Sequence, residues 1–236
     1  MGMIMSSSIV LSCGDDDGDK EPNTIVPPPN PRGDDDDDED LPSYLYCPDD
    51  RHPHLIDLGL PSGTKWSCCN VDANNPEDYG GYYAWGETEV KDVYNWSTYV
   101  HCDGSDDTCH DLGSDISGTV YDVAHVRWGG SWVMPTATQF QELIDNCSEM
   151  KDVFINHERC CQLTFANGGY IIFPHAGHFW NNIKMSDNSN YWSSTRFPSD
   201  PDAVYRLFLK YAQATVDYTY TRCYGRTVRP VYGMFY

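Results

Sequence analysis

Residues 115–136 read DISGTVYDVAHVRWGGSWVMPT, and they set two helices around a glycine stop. Residues 120–127 suit a short helix with Val123 and Ala124 turned inward. Gly129-Gly130 closes it, because glycine reaches the left-handed backbone that ends helices at little cost. Pro135 then marks the start of a second helix, predicted over residues 136–147. There Phe140, Leu143, Ile144 and Cys147 recur at i, i+3, i+4 and i+7, one face of a 3.6-residue period. Thr136 and Gln139 have the spacing of a capping box.

Away from these helices the chain reads as short strands between Gly, Asn and Asp clusters. The expected strands are 55–58, 82–85, 162–165, 170–173, 204–209, 215–220 and 227–231, with Asn167-Gly168-Gly169 as the turn joining the third and fourth. Two short helices in the first half and a twisted antiparallel sheet in the second make an α+β domain.

Residues 115–136 resemble the core signature of the Fibrobacter succinogenes major paralogous domain, a family of bacterial cell-surface modules. Three further blocks resemble the same family in the same order. They are DLGLPSGTKWSCCNV (57–71), EDYGGYYAWGET (77–88), and YWSST (191–195) followed by GRTVRPV (225–231). The resemblance spans roughly residues 55–232 and implies a C-type-lectin-like fold. MPTATQFQELI in particular looks like the start of the second helix in C-type-lectin-like and formylglycine-generating-enzyme-like folds. It also implies that Cys69 and Cys147 occupy positions where the family commonly has cysteine.

The charge is uneven. Between Gly14 and Asp50 fourteen acids face only Lys20 and Arg32, a local charge of −12 out of −21. Such an excess argues against nucleic acid or an anionic membrane surface as a partner, since both repel negative charge. Val10-Leu11-Ser12-Cys13 resembles a bacterial lipobox, which makes Cys13 the expected lipidation site and residues 1–13 a lipoprotein signal, although no Lys or Arg precedes the cysteine. The apolar run is far shorter than the ~20 residues of a membrane-spanning helix. GDDDGDKE, just after Cys13, resembles the acidic export signal of surface lipoproteins in Bacteroidetes-type bacteria. Residues 14–43 alternate proline and aspartate runs that cannot build a core and are expected to form a disordered, stiff tether. The expected domain is then 44–236, lipid-anchored on the outer membrane and exposed at the cell surface.

With Cys13 lipidated, nine cysteines remain, so one is left over in an exported domain. Cys102 and Cys109 bracket a short acidic loop and are expected to staple it. The adjacent pairs Cys68-Cys69 and Cys160-Cys161 are each expected to send their members to different environments. His101-Cys102 and Cys109-His110 lack the tight knuckle spacing of structural zinc. Asp103, Asp106, Asp107 and Asp111 fit no EF-hand and read as a solvated turn. No metal and no cofactor are expected. His175 and His178 read as packing or surface residues.

No nucleophile elbow, metalloprotease helix, P-loop or dinucleotide fingerprint is present. Formylglycine-generating enzymes need paired cysteines near the C-terminus, and Cys223 is the only cysteine after Cys161. The expectation is therefore a non-enzymatic ligand-binding or adhesion domain whose partner is a glycan or a host or bacterial surface protein. Its candidate binding residues are His178, Phe179, Trp180, Asn181, Asn182, Asn188, Asn190, Tyr218, Tyr220 and Arg222. They combine flat aromatic faces with adaptable amide donors. Tyr218, Tyr220 and Arg222 alternate as if on one face of a strand. Two other readings stay open. One is an assembly or fimbrial-tip subunit that uses Tyr232, Phe235 and Tyr236. The other is a variable protein of a diversity-generating retroelement, diversified between residues 179 and 224.

Overall fold

A computed structural model describes residues 54–185 and 188–233. The expectations for Cys13, the tether 14–43, Phe235 and Tyr236 lie outside the described residues, as does the start of the domain at 44. What is described is an α+β unit of two short helices and four small antiparallel sheets, rather than one continuous sheet.

The strands in chain order are β1 (Leu55–Asp57), β2 (Lys65–Ser67) and β3 (Trp132–Val133), then β4 (Cys147–Ile155), β5 (Glu158–Phe165) and β6 (Tyr170–Pro174). They continue with β7 (His178–Trp180), β8 (Ile183–Met185), β9 (Ser189–Arg196), β10 (Val204–Lys210), β11 (Gln213–Thr219) and β12 (Val231–Tyr232). Helix α1 (Val123–Trp128) precedes β3 and helix α2 (Ala137–Asp145) follows it. The sheets run β1-β2-β12-β3, β4-β5-β6, β7-β8 and β11-β10-β9, so the last strand returns to lie between two of the first three.

Both helices form for the reasons visible in their residues. In α2 the Thr136 hydroxyl accepts the Gln139 N–H and the Gln139 side chain returns to the Thr136 backbone, a complete capping box. Phe140 and Leu143 are fully buried, and the helix lies across β9, β10 and β11. Helix α1 begins at Val123 rather than 120, because the buried Asp122 carboxylate caps it by accepting the His125 N–H. The same carboxylate accepts the N–H groups of Gly118 and Met134. Val120 is left 75 % exposed.

The main core gathers Trp66, Phe140, Leu163, Phe173, Tyr191 and Leu207 between α2 and the sheets. Each such side chain contributes roughly 1.5–3 kcal/mol of burial. Cys68 and Cys69 both sit in this core, which corrects the expectation that they would part. Cys160 and Cys161 do part. They alternate along β5, with Cys161 in the main core and Cys160 on the opposite face.

A second core holds Tyr83, Trp85 and Trp192. The Trp85 indole donates to the Ser193 carbonyl at 2.9 Å and the Trp192 indole to the Tyr83 carbonyl at 2.8 Å. The expected strand 82–85 is accordingly only a single bridge, Tyr83 to Arg226, and the expected strand 227–231 shrinks to β12. Gly80 has φ +69° and no room for a side chain, since a Cβ there would lie 2.2 Å from the Val71 carbonyl oxygen.

Arg229 ties the two halves together. It is fully buried and spends its donors on neutral acceptors. Nε donates to Asn70 Oδ1 at 2.7 Å, Nη1 to the Cys68 carbonyl at 2.6 Å and the Ser67 carbonyl at 3.3 Å, and Nη2 to the Pro76 carbonyl at 3.2 Å.

Candidate functional site

The residues expected to bind ligand fall into two aromatic groups and a buried remainder. The first group is built on β7. His178 stacks on Tyr224 at 5.4 Å and 14°, and Trp180 covers the same ring at 4.7 Å. Phe179 meets the edge of Tyr82 at 4.8 Å and leans on Tyr94 at 5.9 Å. All three β7 residues are half-buried. Asn181 turns the chain from β7 to β8 with φ 54°. It exchanges backbone hydrogen bonds with Tyr94 at 2.8 and 2.9 Å and accepts the Asn95 amide at 2.8 Å, so it anchors the wall rather than facing out. Asn182 is exposed.

The second group lies on β10 and β11 and the bend beyond. Tyr218 stands opposite Tyr205 in the ladder and stacks on Phe197 at 4.1 Å and 21°. Tyr220 meets its edge at 6.0 Å. Tyr218 is 46 % and Tyr220 48 % exposed, so this group presents ring faces to solvent.

Arg222 is a correction. Strand β11 ends at Thr219, so the alternation that would carry Arg222 to the tyrosine face stops there. Arg222 is completely buried. It lies 4.5 Å over the Trp85 ring, donates to the Tyr99 hydroxyl at 3.1 Å, and reaches the carbonyls of Pro201 and His110 at 3.0 and 3.3 Å. Asn188 and Asn190 are also inside. Asn190 is fully buried, donates to Asn188 Oδ1 and accepts Arg206 Nη1 at 2.8 Å. These amides order the core beside β9 and do not form a binding face.

Sequence reading missed one concavity altogether. A cavity of about 410 Å³ opens between residues 86–91, 98–101 and 120–121, within the size range of small-molecule sites. Val90, Val100 and Val120 surround it, exposed by 52, 66 and 75 %. Inside, the nearly buried Glu87 carboxylate accepts from Lys91 Nζ at 2.6 Å and from the Val100 N–H at 3.0 Å, and Lys91 also donates to the Thr98 carbonyl at 2.9 Å. The ion pair is thereby satisfied internally. His101 Nε2 lies 3.0 Å from the Gly86 carbonyl, and burial lowers the pKa of its imidazole, which favours the neutral form with Nε2–H donating. A second concavity of about 370 Å³ shares Val90 and Lys91 with the first and is lined by Tyr82, Tyr94 and Phe179. Residues 87–91 are not helical, so the Glu87–Lys91 spacing in GETEVK gave no signal of this face.

Burial raises the pKa of Tyr82 and Tyr99 well above the ordinary tyrosine range and moves Tyr94 in the same direction, so these phenols stay neutral and act as hydrogen-bonding tips on apolar plates. Burial likewise pushes the Cys109 and Cys223 thiols up to about 12, so only a small fraction of either is thiolate near neutral pH. His101 and His110 turn to different partners, the Gly86 carbonyl and the Asp103 carboxylate. Among the described residues no three His, Cys, Asp or Glu side chains converge on a metal position. Among them, too, no helix is long and apolar enough to cross a membrane. No family model, curated protein or solved structure matches this chain.

Proposed function

We propose that the chain is a non-enzymatic recognition module of the Fibrobacter succinogenes major paralogous type. In this reading it has a C-type-lectin-like fold, is lipid-anchored through Cys13 and is displayed on the outer membrane. Two short helices at the predicted places and long irregular connections over small sheets support the fold reading, and the four sequence blocks support the family.

The observation that carries the function is the platform of Tyr218 and Tyr220. Both tyrosines stand nearly half exposed, while Phe197 stacks on one face of Tyr218 and is itself braced by Tyr205. A rigid aromatic plate with a hydroxyl tip loses little entropy on binding and suits the faces of sugar rings or a protein surface. Tyr232, by contrast, packs edge-on against Trp132 at 5.3 Å within its own domain, so it contributes less to an assembly interface than its terminal position suggests.

The test is binding of the purified full-length protein to a glycan and surface-protein array, beside Tyr218→Ala and Trp180→Ala variants. Specific binding lost in Tyr218→Ala and retained in Trp180→Ala places recognition on the platform. Loss only in Trp180→Ala moves it to the β7 wall. No binding by a folded monomer refutes the recognition reading.

A further inference from the structure

The loop bounded by Cys102 and Cys109 has a register that its sequence does not reveal. The two residues are partners in an isolated antiparallel bridge. The hydrogen bonds flanking them run from the Asp103 N–H to the Thr108 carbonyl at 3.3 Å and from the His110 N–H to the His101 carbonyl at 2.8 Å. This pattern makes Cys102 and Cys109 a non-hydrogen-bonded pair. The Cα atoms of such a pair stand roughly 4.5 Å apart with both side chains on one face, inside the ~4.4–6.8 Å window of a disulfide.

In the reduced arrangement Cys102 Sγ donates to the carbonyls of Trp96 and Tyr99 at 3.3 and 3.6 Å, and Cys109 Sγ to that of Asp106 at 3.6 Å. Both pack against the cluster that holds a third thiol, Cys223. Cys102 and Cys109 are partly exposed, whereas Cys223 is fully buried.

We propose that Cys102 and Cys109 form a modification site at which an external disulfide installs a cross-strand bond, leaving Cys223 as the enclosed third thiol. The oxidant is a small-molecule or protein disulfide. Cys102, as its thiolate, attacks one sulfur of that disulfide, displaces the first thiol and forms a mixed disulfide. Cys109 then loses its proton and attacks Cys102 Sγ, displacing the second thiol. The two cysteines give up two protons and two electrons, and the oxidant leaves as two thiols. Burial holds the Cys109 thiol up at about 12, so its thiolate fraction is small, and the second step depends on the bridge holding the mixed disulfide directly beside it.

The bond has a consequence for the cavity. His101, on its wall, directly precedes Cys102, and the His110 carbonyl just after Cys109 is held by Arg222. Closing the bond therefore fixes one wall of the cavity to the second core. The proposal does not rest on the ligand reading above.

The experiment equilibrates the full-length folded protein with oxidised glutathione, unfolds it in alkylating reagent and digests it with an Asp-specific protease, which cuts between the two cysteines. A cross-linked Cys102–Cys109 peptide pair two hydrogens lighter than its thiol form is expected, with Cys223 recovered alkylated. A bond from Cys223 to either residue, or alkylation of all three, overturns the proposal. The oxidised protein should also melt on the order of 5–10 °C above both its own reduced form and the Cys102→Ser/Cys109→Ser variant, the effect of closing so short a loop in a domain of this size. Equal melting of oxidised and reduced wild type refutes the loop-closing role, even if the double variant fails to fold.

Discussion

Replacing Arg229 with methionine removes a buried cation that has no carboxylate partner among the described residues, and the outcome depends on which of two large terms wins. The two short bonds, to the Asn70 side chain at 2.7 Å and the Cys68 carbonyl at 2.6 Å, are charge-assisted and contribute about 1.5–3 kcal/mol each. The longer bonds to Ser67 and Pro76, at 3.3 and 3.2 Å, add less. Against this, methionine spares the cost of burying a charge, several kcal/mol in an enclosed site, and it packs on Phe173, whose ring lies 5.3 Å from the guanidinium. The substitution, however, strands the acceptors on residues 67–76, which sit under the C-terminal segment and cannot all reach water. Each stranded acceptor costs about 1–3 kcal/mol. The bonds lost and the acceptors stranded are one cost counted once, and set against the desolvation spared they leave a loss of about 3 kcal/mol. Urea unfolding followed by tryptophan fluorescence should show the midpoint falling by about 1–2 M at unchanged slope, and the melting temperature by about 6–12 °C. Arg229→Lys, with a single point donor, should recover less than half. A midpoint within about 0.3 M of wild type would refute the reasoning, because desolvation would then cancel the hydrogen bonds.

Gly225→Ala places a methyl 2.9 Å from the Tyr94 ring, and the two backbone bonds between Gly225 and Phe179 leave the main chain little freedom to yield. A loss of about 1–3 kcal/mol is expected from such overpacking, with the Tyr94–Phe179 contact displaced in a structure of the variant; unchanged unfolding refutes it. His101 has a lowered folded pKa, owing first to burial, with Arg222 and His110 pushing the same way against the Gly86 carbonyl and Glu87. Below pH 6.5 the unfolded chain takes up a proton that the folded state resists. The stability gained from keeping this ring neutral is thus fully present above pH 6.5 and is lost as pH falls through the folded value. His101→Gln should flatten that part of the stability profile between pH 7.5 and 5, and parallel profiles would exclude the effect. For Asp152, burial opposes ionisation but Arg159 and His175 outweigh it, so its pKa lies below the ordinary aspartate range. Its stabilising charge is complete above about pH 3.8 and is lost as pH falls through the lowered value. Asp152→Asn should remove that segment of the acid limb in denaturation between pH 5 and 2.

The helices were legible because their signals are local. The Thr136–Gln139 capping box and the Phe140–Leu143 spacing need no distant partner, and both stand as expected. Strand β9 was hidden because its buried residues are polar on both sides of the adjacent Tyr191 and Trp192. Ser189, Asn190, Ser193 and Ser194 are all buried, and Ser189 and Ser193 donate to the carbonyls of Pro174 and Tyr205. A strand buried on both faces, with two adjacent aromatics among hydroxyls and amides, carries no apolar alternation. Residues 82–85 misled in the opposite sense. Their aromatic run looks like a strand, yet long-range indole bonds and the neighbouring glycines hold it in place of a ladder. Of the candidate site, the exposed tyrosines and the aromatic wall were readable from side-chain type. The inward turn of Arg222 was not, because it depends on where β11 stops. Nor was the cavity, which forms where three segments distant in sequence converge.

Strand β12 lies between β2 and β3, while β1 pairs on the other side of β2. Leu55 stands opposite Ser67 and Tyr232 opposite Lys65, so the chain enters and leaves this sheet at opposite ends of β2. Both β1 and β12 run antiparallel to β2 and therefore parallel to each other. Traction applied between residues 54 and 233 would pull β1 and β12 in opposite senses along β2. That is shear, which loads the ladder bonds together, rather than peeling, which breaks them one at a time. The strands of the tyrosine platform, β10 and β11, lie in a separate sheet outside that line of force. A load carried through the ends of the domain would leave the shape of the platform unchanged until the small sheet gave way.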